Sequence, residues 1–169
     1  MAYHEHQQHG VREVGCAVVT VSDTRDEATD GSGQLMRSLL QEAGHRVVHY
    51  RIVKDSPLQI KGELATLGET AGCQALLFNG GTGIAPRDTT YDTIEKMLDK
   101  RLDGFGELFR YLSYQEIGSG AMMSRAVAGT YRGRIVFSVP GAPEAVRLAM
   151  EKLILPELGH LVWTVTPRV

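Results

Sequence analysis

The sequence predicts an α/β fold in which a mostly parallel sheet lies between two layers of helices. Short apolar runs rich in β-branched residues alternate with longer segments whose apolar residues recur at helical spacing. Consecutive strands separated by helices of ten or more residues are typical of right-handed crossovers between parallel strands. We therefore expect a three-layer α/β/α architecture with both faces of the sheet covered.

The first half of the chain predicts two strand–helix units. The first strand is Val14–Val21, and a helical pattern follows Ser32 and ends before Gly44. The second strand is Arg46–Val53, and a second helix begins at Pro57, with Ser56 suited to the N-cap position.

The second half predicts a third strand, a glycine-rich loop and further helices. Thr89 and Asp92 resemble a capping box at the start of a helix. Leu102 to Ala128 contains several glycines between apolar pieces and is predicted only as mostly helical. The remaining predicted segments are strand Ala75–Phe78, helix Thr90–Leu98, strand Arg134–Val139, a helical face from Val146 to Ile154, and a packed tail after Pro156.

Length and composition bound the class of protein. The 169 residues fit one domain, predicted over residues 11–169 after a disordered tail of residues 1–10. The fractions of 43 % hydrophobic and 22 % charged residues are those of an ordinary globular protein. A net charge of −2 provides no basic excess, so nucleic acid and anionic membranes are not expected partners.

The same composition predicts a cytoplasmic protein. Cys16 and Cys73 lie in or beside apolar runs without metal-type spacing, so we expect buried thiols in a reducing compartment. No stretch approaches a membrane span, and the polar N-terminus does not have the pattern of a signal peptide.

Residues suited to chemistry follow the predicted strands. In open parallel sheets, ligands bind beyond the carboxyl ends of the strands, where loop amides and helix N-termini point outward. The segments that follow the predicted strands are Ser22–Arg25, Lys54–Ser56, Asn79–Asp88 and Pro140–Pro143. We therefore expect a binding site where these four segments meet.

The glycine-rich loop is a candidate anion site. Gly80, Gly81 and Gly83 permit positive φ and close approach of backbone amides to an anion, and Thr82 adds a hydroxyl donor. The loop lacks the lysine of a P-loop and the dinucleotide-binding glycine pattern. A plain connecting loop therefore stays open as the alternative.

Two aspartates near this loop are the candidate catalytic residues and metal ligands. Asp88 follows Arg87 after the glycines, and a carboxylate beside phosphates suits a Mg²⁺ ligand or a group that orients a phosphate nucleophile. Asp55 ends the second strand and could face Asp88 across the edge. The alternatives are a helix cap for Asp88 and a solvated turn for Asp55.

Further anion contacts are predicted at the first helix and at scattered cations. Ser32 and Gly33 open the helix after Asp30, where free amides could hold a phosphate or simply form a cap. Four cations could neutralise a polyphosphate, although each could equally be an ordinary surface residue: Arg25, Lys54, Arg87 and Arg125.

Together these motifs resemble the MogA/MoaB molybdopterin-binding proteins, a family that includes the G domain of gephyrin and its plant counterpart. The resemblance covers Val14 to Leu161 and is closer to the MoaB branch. Its marks are Val21–Arg25, Asp30–Gly33, Asn79–Gly83 with Arg87-Asp88, Phe105-Gly106-Glu107, Leu112–Gly118, Ser124–Gly129 and Pro140–Pro143.

The resemblance implies an Mg-ATP-dependent adenylylation of molybdopterin that releases pyrophosphate and prepares the pterin for molybdate insertion by a later enzyme. The family's two essential aspartates correspond to Asp55 and Asp88, which would also ligate Mg²⁺. The implied nucleotide and pterin contacts are Ser22, Asp23, Ser32, Gly33, Asn79, Gly80, Gly81, Thr82, Gly83, Arg87, Pro140, Gly141 and Pro143.

The resemblance leaves some points open. This chain has Thr90-Tyr91-Asp92 where the family usually carries Thr-Pro-Glu, so Tyr91 loses the fixed φ of proline. A pterin-binding carrier or scaffold with little catalytic activity is the alternative within the family, and a nucleotide- or sugar-phosphate-binding regulator is the alternative outside it. Relatives form trimers, or hexamers in the MoaB branch, so a homotrimer or homohexamer is implied, with Leu102 to Ala128 as candidate interface.

Overall fold

The computed structural model describes residues 9–167 and contains a six-stranded sheet with helices on both faces. The strand order is β2-β1-β3-β6-β5-β4. The strands are β1 Gly15–Val21, β2 Arg46–Val53, β3 Ala75–Asn79, β4 Lys100–Arg101, β5 Val127–Tyr131 and β6 Arg134–Val139. The helices are α1 Gly31–Glu42, α2 Pro57–Glu69, α3 Thr90–Met97, α4 Asp103–Ile117, α5 Pro143–Ala149 and α6 Leu155–Val165.

The predicted three-layer, mostly parallel architecture is confirmed. Strands β2, β1, β3 and β6 are mutually parallel, and β5 and β4 continue the sheet as antiparallel strands. One core packs α1, α4, α5 and α6 on one face, and a second core packs α2 and α3 on the other. Alternate residues of each strand pack into the two cores, because successive side chains of a strand point to opposite faces.

The parallel half agrees closely with the sequence pattern. The predicted strands 14–21, 46–53 and 75–78 lie within one residue of β1, β2 and β3. Gly44, just beyond α1, has a φ of +85°, which is the left-handed conformation that glycine adopts most readily at a helix end. Cys16 and Cys73 are buried, and burial raises their thiol pKa values to about 12 and about 11.

The antiparallel edge departs from the prediction. Leu102 to Ala128 is helical through α4 and the 3₁₀ segment Gly118–Met123, but Val127 and Ala128 begin strand β5. A tight hairpin joins β5 to β6, with positive φ at Arg132 (48°) and Gly133 (74°). The hairpin was missed because arginine is uncommon at a positive φ, so the sequence carried only half of the usual turn signal.

Two predicted helix caps have a different role. Ser56 and Thr89 occupy N-cap positions, but neither side chain makes a capping hydrogen bond. The capping-box prediction for Thr89 and Asp92 is therefore wrong, because both side chains bind other segments, as described below.

At the C-terminal end, a π turn Met150–Ile154 joins α5 to α6. Pro156 has no amide hydrogen for the i→i−4 ladder, which accounts for the local widening. The packing prediction for the tail is confirmed for Leu158, which is fully buried. None of the helices in residues 9–167 has the length and apolar character needed to span a bilayer.

Candidate functional site

The turns that follow the four parallel strands meet at one edge of the sheet, which we call the rim. The rim comprises residues 22–30, 54–56, 80–90 and 140–142, each directly after the carboxyl end of a strand or at the N-terminus of α1 or α3. Backbone bonds close this edge: the Ser22 amide donates to the Val53 carbonyl, and the Gly80 amide donates to the Val139 carbonyl. The four segments singled out from the sequence are therefore brought together.

Asp55 lies at the centre of the rim and is held by the start of α3. Its Oδ1 accepts hydrogen bonds from the Thr89 amide (3.1 Å), the Thr89 hydroxyl (2.6 Å) and the Thr90 hydroxyl (3.2 Å). A Cβ on Gly81 would lie 2.4 Å from Asp55 Oδ2, so only glycine lets the loop approach this carboxylate. Asp55 is therefore fixed against the glycine-rich loop, with Oδ2 outside these hydrogen bonds.

Asp88 lies on the other side of the same loop. Its Oδ2 accepts a hydrogen bond from the Ala85 amide (3.1 Å), and a Cβ on Gly83 would lie 2.4 Å from that oxygen. Asp55 Oδ1 is bonded to Thr89, the residue that follows Asp88. The two aspartates therefore flank one loop, as the sequence predicted, and do not lie on opposite sides of the molecule.

A surface ion pair crosses the rim near Asp55. Arg87 donates to Asp23 Oδ2 at 2.9 Å, and Asp23 Oδ1 accepts a hydrogen bond from the Asp55 amide at 3.1 Å. The Arg87 side chain is 71 % exposed, so this pair is weakly held and is screened by solvent. Arg87 can exchange Asp23 for another anion without leaving a buried charge behind.

In the glycine-rich loop, three carbonyl oxygens accept hydrogen bonds from other segments, whereas four consecutive amides have no acceptor in the described part of the chain. The carbonyl oxygens of Gly81, Thr82 and Gly83 accept hydrogen bonds from the Thr90 amide, Arg125 Nε and an Arg125 terminal nitrogen, respectively. Within residues 9–167, the four amides of residues 81–84 donate to no acceptor. Consecutive free amides near left-handed glycines are the arrangement that binds anions.

The site has the oxygen donors that Mg²⁺ prefers but no complete cage for a metal. Asp55 Oδ2 and Asp88 Oδ1 make no hydrogen bond within the described chain. No group of three or more His, Cys, Asp or Glu residues suited to a metal occurs among residues 9–167. Mg²⁺ is usually bound by one or two carboxylates together with substrate phosphates, and the residues present fit that mode.

The N-terminus of α1 is built around a buried carboxylate. Asp30 is fully buried, and its Oδ1 caps the helix by accepting from the Gly33 amide (3.0 Å). Its Oδ2 accepts from the hydroxyls of Thr20 (2.6 Å) and Tyr50 (2.7 Å). The pKa of Tyr50 is raised to about 12, mainly because the side chain is partly desolvated and secondly because it donates a hydrogen bond to Asp30. The Gly33 amide predicted as a phosphate contact is thus already occupied by Asp30.

Arg25 ties α1 to the turn after β6. It donates to the Ser32 hydroxyl at 2.9 Å and to the Gly141 carbonyl at 3.2 Å, while the Ser32 hydroxyl also donates to Gly141. A Cβ on Gly141 would lie 3.1 Å from the Gly80 Cα, so this turn packs directly on the glycine-rich loop. Ser32 and Gly141 therefore lie at the rim, with their polar groups bonded to each other.

The remaining predicted contact residues are Asn79, Ser22, Pro140 and Pro143, and their surroundings in the structure are as follows. Asn79 is buried and donates to the Thr20 hydroxyl at 2.9 Å, while its Oδ1 has no hydrogen-bond partner within residues 9–167. The Ser22 hydroxyl accepts from the amides of Thr24 and Arg25, as in a tight turn. Pro140 is half-buried beyond β6, and Pro143 begins α5 and lines a depression with Leu35 and Glu116.

Sequence reasoning missed the residues that orient the two aspartates and the loop. Thr89 and Thr90 were assigned to a helix start, yet both hydroxyls bind Asp55. Arg125 was grouped with phosphate-neutralising cations, but it binds loop carbonyls and Asp92 instead. Its partners lie 33 to 43 residues away along the chain, and no local pattern encodes such a contact.

Comparison with known proteins identifies the family. A family model described as "Probable molybdopterin binding domain" matches residues 17–160. Molybdenum cofactor biosynthesis protein B of Bacillus cereus is 51 % identical over 164 residues, covering 96 % of this chain and 97 % of the relative. The Bacillus subtilis protein of the same name is 51 % identical over 168 residues, covering 96 % of each chain.

Solved structures agree. A crystal structure of molybdenum cofactor biosynthesis protein B has a TM-score of 0.89 at 53 % identity, covering 90 % of this chain and 96 % of its own. The tungsten cofactor synthesizing protein MoaB from Pyrococcus furiosus has a TM-score of 0.83 at 34 % identity, with 93 % and 99 % covered. The chain therefore belongs to the MoaB/MogA family of molybdenum cofactor biosynthesis proteins.

Proposed function

We propose that this protein adenylylates molybdopterin with Mg-ATP and releases pyrophosphate. The observation that carries the proposal is the glycine-rich loop between two carboxylates, in which three carbonyls accept hydrogen bonds from protein while four consecutive amides have no acceptor among residues 9–167. Free amides select an anion, and carboxylates beside an anion require a cation between them. A triphosphate with Mg²⁺ satisfies both requirements, and the family membership supplies molybdopterin as the acceptor.

In this proposal the reaction is a displacement at the α-phosphorus of ATP. An oxygen of the pterin's terminal phosphate forms the new P–O bond. The bond between the α-phosphorus and the oxygen bridging to the β-phosphate breaks, and that oxygen leaves with the electron pair as part of pyrophosphate. The nucleophile is already anionic at neutral pH, so positioning and charge neutralisation matter more than proton removal.

The chain's own residues would supply that positioning. The amides of residues 81–84 donate to phosphate oxygens, and Arg87 exchanges Asp23 for a phosphate. Asp55, fixed by Thr89 and Thr90, and Asp88 would hold Mg²⁺. When bound, Mg²⁺ neutralises the charge that develops on the departing pyrophosphate.

The test is pyrophosphate release from Mg-ATP with molybdopterin as acceptor. We expect Asp88→Asn to abolish release and to leave pterin binding largely intact, because the carboxamide keeps the shape but loses the charge. Asp103→Asn is the matched control, since Asp103 is an exposed carboxylate that lies outside the rim segments and pairs with Arg101. This control should release pyrophosphate at the wild-type rate.

Two outcomes would contradict the proposal. Equal loss of pterin binding and pyrophosphate release in Asp88→Asn would assign the residue a structural role. A wild-type protein that binds molybdopterin without releasing pyrophosphate would be a carrier or scaffold. Calorimetric titration with ATP alone, and then with ATP plus pterin, would reveal a regulator that binds nucleotide only.

We also propose that the protein self-associates through a patch on α4 and the 3₁₀ segment. Six large apolar side chains there are 53 to 80 % exposed, and we call this set the α4 patch: Leu108, Tyr111, Tyr114, Ile117, Met122 and Met123. Tyr111, Tyr114 and Met122 line one shallow apolar depression of about 500 Å³. Clustered exposed aromatic and methionine side chains are typical of protein interfaces, which supports a homotrimer or homohexamer.

A further inference from the structure

Arg125 makes more contacts with the rim than any role predicted from the sequence explains. Its Nε donates to the Thr82 carbonyl at 3.0 Å, and a terminal nitrogen donates to the Gly83 carbonyl at 2.6 Å. The two terminal nitrogens also bind the two oxygens of Asp92 at 3.0 Å each. The guanidinium lies 4.5 Å from the centre of the Tyr91 ring. This arrangement occupies most of the five N–H donors of the arginine side chain.

These contacts fix the direction of the loop's peptide groups. In a trans peptide the carbonyl and the following amide N–H point in opposite directions. Holding the Thr82 and Gly83 carbonyls toward Arg125 therefore turns the amides of Gly83 and Ile84 the other way. Both are among the amides with no acceptor within residues 9–167.

The orientation of the loop carbonyls also affects how the loop binds a phosphate. A carbonyl oxygen that faced a bound phosphate would repel it, and a mobile glycine loop can turn either end of a peptide toward the ligand. Arg125 removes two carbonyls from that competition. Arg125 lies outside the loop, in the segment that leads into β5. Its hydrogen bonds therefore attach the loop to the sheet.

Arg125 is in turn oriented by the start of α3. Its hydrogen bonds to Asp92 are bidentate, a geometry that fixes the plane of the guanidinium, and stacking on Tyr91 fixes the same plane from one face. The hydrogen bonds from Arg125 also lower the pKa of the Asp92 carboxyl, because they favour its charged form.

We propose that Arg125 is a positioning residue that presents the amides of Gly83 and Ile84 to the phosphates of ATP and does not itself bind phosphate. The inference rests on the proposed function for the identity of the ligand. Its geometric part, the orientation of the two peptide groups, is independent of any reaction.

The test compares Arg125→Ala, Arg125→Lys and wild type in binding of Mg-ATP and in pyrophosphate release. We expect both variants to lose about 100-fold in kcat/KM, since misplacement of a reacting group by about 1 Å has that effect. The lysine variant should be no better than alanine, because a point charge cannot bridge two carbonyls and a carboxylate in one plane. Arg132→Ala is the control, because Arg132 also stacks on a tyrosine, Tyr131, and pairs with a carboxylate far from the rim.

Rescue with a small cation separates positioning from folding. Free guanidinium at millimolar concentration should restore part of the Mg-ATP affinity of Arg125→Ala, whereas urea, which has a similar shape and no charge, should not. A residue needed only for folding would give no rescue by guanidinium at this concentration.

A second measurement distinguishes this inference from the proposed function. In amide NMR spectra without nucleotide, Arg125→Ala should shift or broaden the Gly83 and Ile84 signals, and Arg132→Ala should leave them unchanged. Unchanged signals together with wild-type affinity for Mg-ATP would overturn the positioning role and leave adenylylation standing. If the wild-type protein binds no Mg-ATP, the proposed function is overturned. The NMR comparison without nucleotide would still test whether Arg125 orients the Gly83 and Ile84 amides.

Discussion

The parallel half of the sheet and its antiparallel edge present opposite kinds of surface. Where β2, β1, β3 and β6 end, the rim carries charged side chains and backbone amides that have no acceptor among residues 9–167. Beside β5 and β4, the α4 patch exposes aromatic and aliphatic side chains. The difference follows from connectivity. Parallel crossovers bring the loop after each strand to the same edge of the sheet, whereas β5 and β6 are joined by a tight turn and hydrogen-bond to each other. The proposed ligand site and the proposed subunit contact thus lie on different halves of one sheet.

The largest loss of stability is expected when the buried hydrogen-bond network around Asp30, in the parallel half, is disrupted. Asp30→Ala removes the acceptor for the Thr20 hydroxyl, the Tyr50 hydroxyl and the Gly33 amide, all at a fully buried position. We expect a loss of about 3 kcal/mol in the free energy of unfolding, from the lost cap and the unsatisfied donors. Urea denaturation measures this loss, provided that the m-value is the same for the variant and the wild type.

The matched change in the antiparallel half is Asp103→Ala. Asp103 lies in the first turn of α4 and is exposed, so its ion pair with Arg101 should contribute less than about 1 kcal/mol. A comparable loss of stability in the two variants would remove the energetic distinction between the halves.

A smaller effect is expected at the α4 patch. Replacing Tyr114 by Glu places a charge in a depression lined by apolar side chains and should weaken self-association by about 2 kcal/mol per contact, without changing Mg-ATP binding. Sedimentation velocity across a concentration series measures the assembly. Unchanged sedimentation would exclude the patch as interface, and a loss of nucleotide binding would show that the two surfaces are coupled.

The sequence predicted the parallel half well because its signals are local. Apolar runs, helix stops and glycines placed β1 to β3 within one residue and located the turns that form the rim. Strand order predicted that Asp55 could face Asp88, since parallel strands share one carboxyl edge, and left a solvated turn as the alternative; in the structure Asp55 contacts the loop beside Asp88.

The missing parts depend on contacts between distant segments. Nothing local distinguishes a Thr89 hydroxyl that caps a helix from one that binds Asp55, or an exposed Arg125 from one that holds two carbonyls. Strand β5 was missed because Arg132 takes the place of a usual turn residue. The predicted disordered tail of residues 1–10 falls mostly outside the described residues, and its role as well as the cytoplasmic location stay predictions.

The proposed function depends on hydrogen bonds from the amides of residues 81–84 to the phosphates of the nucleotide. The most direct measurement is an amide NMR titration of the wild-type protein with Mg-ATP. We expect the signals of residues 81–84 to move with nucleotide concentration, while those of the α4 patch stay in place. Movement of the α4 patch signals alone, with residues 81–84 unaffected, would contradict it.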